Sequence, residues 1–443
     1  MNRPMPTEAS PTETSPTKSS PTDTAPTAKP IALPRIRGFR MLWTGEAISL
    51  LGNSTSGLLL PLVAVTQFDA GPGWMGVLTA AAWLPWLLIG LPAGAWVDVW
   101  NPRRVMWWAD LGAAVATASV PLAWFTGLLS LPQMLVVALV NGTCTVFFRA
   151  AYQRLLPRIV PAESLVGANS ALQGTESATQ LAGPSLAGLL AQLAGAAAGV
   201  LVDAVSFLVS AAFLKALRPS DITPDPDPQP APEPLRRRIA DGMRFVAGDR
   251  FLRVFTLIGG ISNLGLTGYG TLLVLFMVEK LGLNAGTIGL LGTAASAGGV
   301  LGALAAAPLS TRLGGARALL ILRTLGGPLA LLIPFASRGW GVIFYVVGAF
   351  LVAFFVVAGN VLTGAFRQRY VPGPLMGRVV TSSQLVNFGT MPVAGLLAGW
   401  MGGQLGLRST MLIMAGIHAA ACLGNLIGPL RGLRSLPVAP QRT

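Results

Sequence analysis

A few charged side chains interrupt long apolar stretches of this sequence, and they are of the types that bind or move protons. They are Glu46, Asp110, Arg149, Glu176 and Asp203. A charge within a bilayer is costly unless it has a partner or water, so an intramembrane carboxylate is a candidate functional group. All of them except Asp203 fall at a comparable depth in their apolar stretches. This spacing predicts a cluster of carboxylates around one guanidinium.

Two interpretations of the cluster remain open. A carboxyl group removed from water takes up a proton more readily, which suits a site that couples proton binding to other work. Alternatively, Arg149 forms a fixed ion pair, with Asp110 or with Glu176, whose protonation never changes. Asp203 lies near the opposite end of its stretch and is predicted to be a surface or helix-capping group.

Composition indicates the kind of protein that holds these residues. The chain has 443 residues, 52% hydrophobic and 11% charged, with a mean hydropathy of +0.62. A soluble domain carries about 25% charged residues, so this chain is predicted to be a polytopic membrane protein. The net charge of +14 forms no basic stripe with interleaved aromatics, which argues against nucleic-acid binding. Cys144 and Cys422 are predicted to be packing residues, and residue spacing predicts no metal site and no cofactor.

Twelve apolar runs, six in each half, are long enough to span a bilayer, which takes about 20 residues. The predicted spans are 41–67, 74–97, 104–127, 132–154, 167–192, 197–217, 252–278, 286–310, 316–336, 340–366, 378–404 and 409–429. The predicted fold is therefore an all-α membrane protein with 12 transmembrane helices in two six-helix bundles.

Polar, proline-rich segments flank and separate the two bundles. The predicted segments are a Pro/Thr-rich tail at 1–34, a first bundle at 35–218, a central loop at 219–249, a second bundle at 250–430 and a tail at 431–443. The first tail has no apolar core of a signal peptide and is predicted to be disordered. The Pro-Asp alternation of the central loop favours an extended linker.

The basic residues predict which ends of the spans face the cytoplasm. One set of connections contains Arg35, Arg37, Arg40, Arg103, Arg104, Arg154, Arg158, Arg236, Arg237, Arg238, Arg312, Arg317, Arg367, Arg369, Arg431 and Arg434. The other set contains only Lys280, Arg338 and Arg408. Lys and Arg accumulate in cytoplasmic loops, so both termini and the central loop are predicted to be cytoplasmic.

The two halves are copies of each other. With a shift of 213 residues, 48–104 matches 261–317 at 18 of 57 positions without a gap, whereas shared composition alone gives roughly a tenth. A later echo is AGLLA at 187–191 and 394–398. Both copies start on the same side of the membrane, so the repeat is parallel, which is the plan of one large class of secondary transporters.

The loop after the second span resembles the signature of the major facilitator superfamily, Gly-x-x-x-Asp followed by Arg-Arg. The matching residues are Gly94, Asp98, Arg103 and Arg104, although Val99 stands where an arginine is usual. The resemblance implies a latch in which Asp98 caps the start of the eleventh span, in the opposite half, when the cavity opens outward. The simpler interpretation is that Asp98 ends a helix and the arginines only set topology.

Two further segments resemble the drug:proton antiporter group that includes macrolide efflux permeases and the enterobactin exporter. Residues 147–169 resemble its connection between helices 4 and 5, with Arg149 and Ala150 in place of the usual small residue and proline. The antiporter motif of its fifth helix is matched by Gly183, Pro184 and Gly188. The resemblance implies a tight seam that favours exchange over leak, and ordinary packing is the alternative.

The superfamily plan also implies a central cavity lined by spans 1, 4, 7 and 10. Its polar candidates here are Asn53, Ser56, Asn141, Thr143, Asn263, Tyr269, Asn360 and Thr363. The second half has almost no intramembrane acid, so such a cavity suits an amphipathic substrate. His418, the only histidine, is predicted to be packed and neutral.

Taken together, these features predict a secondary active transporter of the cell membrane. It is expected to export amphipathic small molecules, such as drugs, antibiotics or siderophores, in exchange for protons, as a monomer in the lipid bilayer. An importer or facilitator of a metabolite is the alternative within transport, and a membrane enzyme or receptor is the alternative outside it. No nucleophile–base arrangement or nucleotide-binding loop in the sequence favours an enzyme or an ATP-driven pump.

Overall fold

The computed structural model describes residues 33–223 and 235–437, and within these ranges the chain is helical and has no strands. The helices are α1 (Arg37–Phe68), α2 (Pro72–Leu88), α3 (Gly90–Val99), α4 (Pro102–Phe125), α5 (Leu131–Ile159), α6 (Leu165–Ala194), α7 (Ala196–Gly199), α8 (Leu201–Ala216), α9 (Leu235–Gly248), α10 (Arg250–Glu279), α11 (Ala285–Leu313), α12 (Gly315–Leu329), α13 (Val342–Tyr370), α14 (Gly373–Leu405) and α15 (Leu407–Leu423).

The helices coincide with the predicted spans to within a few residues. In the described ranges, ten helical segments are long and apolar enough to cross a membrane, and α2 with α3 makes an eleventh if the bent pair is one span. α6 has 30 residues but is more polar, with Asn, Gln, Ser and Thr along its first half. The prediction of an all-α, multi-pass membrane protein is therefore confirmed.

The central segment contains a helix that the sequence interpretation missed. α9 alternates basic and apolar residues with a helical period, so that one face can pack. Asp241 of α9 accepts a hydrogen bond from Arg378 of α14 at 3.1 Å, and Gly242 lies against the Arg378 backbone. Most of the proline-rich stretch predicted to be extended lies outside the described residues, as does nearly all of the first tail.

The two halves of the molecule share an apolar core at one end and have separate cores at the other. At the end where α1 finishes and α2 begins, one apolar core contains residues of both halves, for example Leu59 of α1 and Phe276 of α10. We call this the closed end. At the opposite, split end each half has a core of its own, around Leu155 in the first half and Phe366 in the second.

Glycines bring the two halves together. Gly76 of α2 lies against the backbone of Gly395 and Gly399 in α14. In the same way, a Cβ atom at Gly188 of α6 would lie 2.8 Å from the Ala285 carbonyl oxygen of α11. Such close helix contacts require small residues. Gly188 and Gly395 are the glycines of the two AGLLA echoes, so the repeat places equivalent positions in the contact between the halves.

Candidate transport site

A cavity of about 50 Å³ lies inside the first bundle, between α1, α4, α5 and α8. Glu46, Asp110 and Arg149 line it, with Ser49 and Asn53. These charged residues come from helices that are far apart in the sequence, and the structure brings them to one site. Their common depth in the apolar runs was the signal that indicated this.

The two acids of this cavity are held differently from ordinary surface carboxylates. Asp110 is 2% exposed, and Ser210 of α8 lies beside it. Its Oδ2 atom is buried and has no hydrogen-bond partner among residues 33–223 and 235–437, and the same is true of Oε2 of Glu46. Burying such an oxygen without a partner is costly, so these are the places where a proton, a water or a cationic group would bind.

Arg149 is paired at the mouth of the cavity. Its Nη2 atom lies 3.1 Å from Oε1 of Glu176, on α6, and about half of the Arg149 side chain is exposed. The observed ion pair is thus with Glu176, one of the two partners that the sequence left open. Both residues remain accessible from the split end, where an ion pair can exchange partners.

The prediction of a surface position for Asp203 is wrong. Asp203 is 1% exposed, because the first turn of α8 faces α1 at Gly52. The Ser206 hydroxyl donates to Oδ1 at 3.3 Å, Ser56 lies beside the carboxylate, and Oδ2 has no hydrogen-bond partner. Position near the end of a span indicated depth but not the direction in which the side chain points.

A second cavity, of about 110 Å³, lies inside the second bundle. Its polar lining residues are Ser262, Asn263, Arg323, Asn360, Asn387, His418 and Asn425. Sequence reasoning missed Arg323, which is a charge within an apolar run like those of the first half. The signal that could have found it is the repeat, because Asp110 and Arg323 are 213 residues apart.

The two cavities are related by the repeat. The pairs Ser49 and Ser262, Asp110 and Arg323, and Ala113 and Gly326 share the shift of 213, and all of these residues line the cavities. α4 and α12 also begin at equivalent positions, Pro102 and Gly315. The same place in each bundle therefore holds a carboxylate in one half and a guanidinium in the other.

Neutral groups surround Arg323. Its Nη1 atom donates to the Thr363 hydroxyl at 3.0 Å, and its guanidinium carbon lies 5.1 Å from the centre of the Phe255 ring. Among the described residues, no Asp or Glu forms an ion pair with it. Nearby, Asn263 donates to Asn387 at 3.0 Å, and the buried His418 shares a hydrogen bond with Ser262 at 2.9 Å.

The residues of the predicted latch lie at the split end. Asp98 is half exposed, and its Oδ1 atom lies 3.8 Å from Nη1 of Arg154 in its own half. Arg103 donates to the carbonyl oxygens of Leu214 and Lys215, both at 2.8 Å, which are also in its own half. Arg104 is exposed, and a Cβ atom added at Gly94 would have no described atom within 4 Å outside its own helix backbone and chain neighbours. A contact with the opposite half was expected only in the conformation that closes this end.

The predicted antiporter motif lies where α6 meets its neighbours. Gly183 packs against Ser54 of α1, and the Pro184 carbonyl points at Gly289 of α11. One turn further, Gly188 contacts the same helix, and the hydroxyls of Ser185 and Thr293 are hydrogen-bonded. The motif therefore forms part of the contact between the halves, next to the closed end.

The other predicted cavity residues divide into two groups. Asn53, Asn263 and Asn360 line the cavities, and Thr363 holds Arg323. By contrast, Ser56, Asn141, Thr143 and Tyr269 line neither cavity in this structure. Tyr269 belongs to the apolar core of the closed end, Asn141 donates to Thr117, and Thr143 donates to its own helix at Leu139.

Comparison with known proteins agrees with this architecture. The family model described as transmembrane secretion effector matches residues 28–441. The chain is 28% identical to the multidrug efflux pump Tap of Mycobacterium tuberculosis over 388 residues, covering 85% of this chain and 90% of Tap. It is 24% identical to macrolide efflux protein A of Streptococcus pyogenes over 183 residues, covering 41% of this chain and 44% of that protein.

Solved structures show the same fold. A bacterial homologue of the iron transporter ferroportin, in its inward-facing state, superposes with a TM-score of 0.67 at 18% identity, covering 89% of this chain and 99% of that chain. The outward-facing state of such a homologue superposes with a TM-score of 0.59 at 19% identity, covering 89% and 98%. The inward-facing conformation is thus the more similar of the two.

Proposed function

Because this chain belongs to the transmembrane secretion effector family of the major facilitator superfamily, a family of multi-pass cell-membrane transporters, we propose that it exports amphipathic small molecules by proton antiport. The observation that carries the proposal is the cavity holding Glu46 and Asp110, each with a buried carboxylate oxygen that has no hydrogen-bond partner in the part of the chain that the structure describes. The names of its relatives, a multidrug pump and a macrolide efflux protein, support export.

The proposed topology has 12 spans with both termini in the cytoplasm. Ten spans are the apolar segments, the eleventh is α2 with α3, and α6 is the twelfth. The excess of arginine at the split end supports its cytoplasmic placement. The structure then corresponds to an inward-open state, in which the first cavity is reached from the cytoplasm.

Coupling requires each ligand to bind one state better than the other. In the proposed cycle, a substrate enters from the cytoplasm while the Glu46, Asp110 and Glu176 group is ionised. After the change to the outward-open state, protons from outside displace the substrate. Asp98 closes the split end in that state by balancing the positive N-terminus of α14. In the inward-open state, the glycine contact between α6 and α11 seals the closed end.

The test is dye transport in inverted vesicles with an acidic lumen. Wild-type protein is expected to accumulate the dye, and a protonophore is expected to abolish the accumulation. Vesicles without the protein are the control for passive partition of the dye. Equilibration of the dye without accumulation, unaffected by the gradient, would instead assign the chain to the facilitators.

A further inference from the structure

The second cavity carries an unbalanced positive charge. Arg323 lies within a span, and the described parts of the second bundle place no carboxylate at the cavity wall. The ionisable groups that interact with it are the Cys422 thiol and another cation, Arg367 on α13. A buried charge without an ionic partner is costly, so its presence calls for a partner that the protein itself does not provide.

Arg323 has donors to spare. A guanidinium has five N–H donors in a fixed fork, and within the described residues Arg323 uses one of them, in the hydrogen bond to Thr363. The Phe255 ring stabilises one face of the guanidinium but accepts no hydrogen bond of ordinary strength. The remaining edge is free to form a pair of parallel hydrogen bonds with a planar oxyanion, which is the geometry that arginine prefers.

The second cavity has room and polar partners for an anionic group. The cavity of about 110 Å³ is several times the volume of a liquid water molecule, which is about 30 Å³. Amides of Asn263, Asn360 and Asn387 supply further neutral donors and acceptors around it. Asn360 is exposed and lines the cavity, so the cavity is open at this part of its wall.

We infer that this cavity is a subsite for the carboxylate of an exported substrate, bound by Arg323 and the asparagine amides. The inference rests on the proposed function, and it narrows the substrate class to amphiphiles that carry an anionic group. A substrate lying between the halves would meet acids on one side and Arg323 on the other. The repeat places those opposite charges at equivalent depth.

The experiment compares a rhodamine dye that has a free carboxylate with its methyl ester. Binding of each dye to purified protein is measured by fluorescence anisotropy, without any gradient. Wild-type protein is expected to bind the acid at least about tenfold more tightly than the ester, as a charge-assisted hydrogen bond allows. Arg323→Gln is expected to abolish this preference by weakening acid binding alone, and Arg323→Lys is expected to retain part of it.

Arg408→Gln is the matched control. Arg408 is an exposed arginine of the same half whose guanidinium donates to the Ala336 carbonyl at 2.7 Å and lies outside the cavity. This variant is expected to keep the preference, and ester binding reports that each variant is folded. Sodium chloride at physiological concentration is expected to leave the preference in place. If sodium chloride abolishes the preference for the acid, the site binds a small inorganic anion, and the inference of a carboxylate subsite is overturned.

Three other results would overturn the inference. The first is equal affinity of the wild-type protein for the acid and the ester. The second is the absence of binding of either dye. The third is an equal loss of binding of both dyes in Arg323→Gln. Transport of the ester under a proton gradient is measured separately. If the preference holds but gradient-driven accumulation is absent, the subsite stands and proton antiport fails. The reverse combination leaves the proposed function in place.

Discussion

Asp110 in the first half and Arg323 in the second occupy equivalent positions of the repeat, and each lines the cavity of its own bundle. Gly188 and Gly395 are equivalent too, and each lies against a helix of the opposite half. The halves therefore resemble each other in the contact between them and carry opposite charges in their cavities. Contact between helix backbones admits only small residues, whereas a hydrated cavity accepts either charge.

This difference suggests a division of labour. A carboxylate can bind and release a proton, whereas arginine stays protonated in almost any environment. The first bundle has the groups needed for coupling, and the second has a permanent positive charge suited to holding an anion. The substrate would then be selected in one half and exchanged for protons in the other.

The largest effect is expected where the halves differ at the split end. Asp98 corresponds to Thr311 in the repeat. Asp98→Asn is expected to lower transport about tenfold or more, because a neutral side chain cannot balance a helix N-terminus. Thr311→Ala is expected to change it less than about twofold, since the Thr311 hydroxyl bonds only its own helix. Dye efflux is measured at matched levels of inserted protein.

Normal efflux by inserted Asp98→Asn protein would remove the latch. Equal losses of dye efflux in Asp98→Asn and Thr311→Ala would show that the two loops act alike. The halves would then not differ at the split end.

The next effect is expected at the cavities. Asp110→Asn is expected to reduce uphill accumulation to the level of the protonophore control while leaving part of the substrate exchange, because coupling needs a group that titrates. Arg323→Gln is expected to keep uphill accumulation of the ester dye. Both are measured in the same inverted vesicles. If the single amide variants of Glu46, Asp110 and Glu176 all still accumulate dye, protons do not pass through this cluster.

Much of the fold could be predicted from the sequence because the length of an apolar run is a local property. The predicted spans fall on the observed helices, and the repeat was visible without a structure. The break between α2 and α3 and the helix α9 were not predicted. The break lies beside Gly90 and Pro92, which interrupt a helix locally, whereas α9 packs on another helix through Asp241 and Arg378.

The sequence indicated how deep each site residue lies in its span, but not the direction in which its side chain points. Similar depth grouped Glu46, Asp110, Arg149 and Glu176; the first three line one cavity, and Glu176 is paired with Arg149 instead. The burial of Asp203 was not predictable, because it depends on which neighbour its helix turns towards. Arg323 was not predicted, although it too is a charge within an apolar run. Comparison of equivalent positions in the repeat would have identified it.

A smaller and symmetric effect is expected in the contact between the halves. A Cβ atom at Gly188 would lie 2.8 Å from the Ala285 carbonyl oxygen, and one at Gly395 would lie 2.9 Å from the Gly76 carbonyl oxygen. Gly188→Ala and Gly395→Ala are each expected to cost the closed end about 1 kcal/mol by overpacking. That corresponds to about a fivefold shift towards the opposite state.

The shift is measured as labelling of Tyr269→Cys by a membrane-impermeant maleimide, which is expected to speed up about fivefold in either background. Gly174→Ala, on the same helix as Gly188 but with no atom within 4 Å of its Cβ position, is the control. Unequal effects of Gly188 and Gly395 would show that the repeat is not symmetric even in this contact.

The smallest effect is expected outside both halves. Residues 1–30 lie outside the described ranges, and their Pro/Thr-rich sequence offers no apolar surface to dock against a bundle. Deleting them is expected to leave the rate of dye efflux unchanged within about 20%, since a segment with few apolar residues contributes little to packing. Efflux is compared with the full chain at matched expression and insertion. Loss of activity in a properly inserted protein would make the tail a regulatory element, and the division of labour would then involve more than the two bundles.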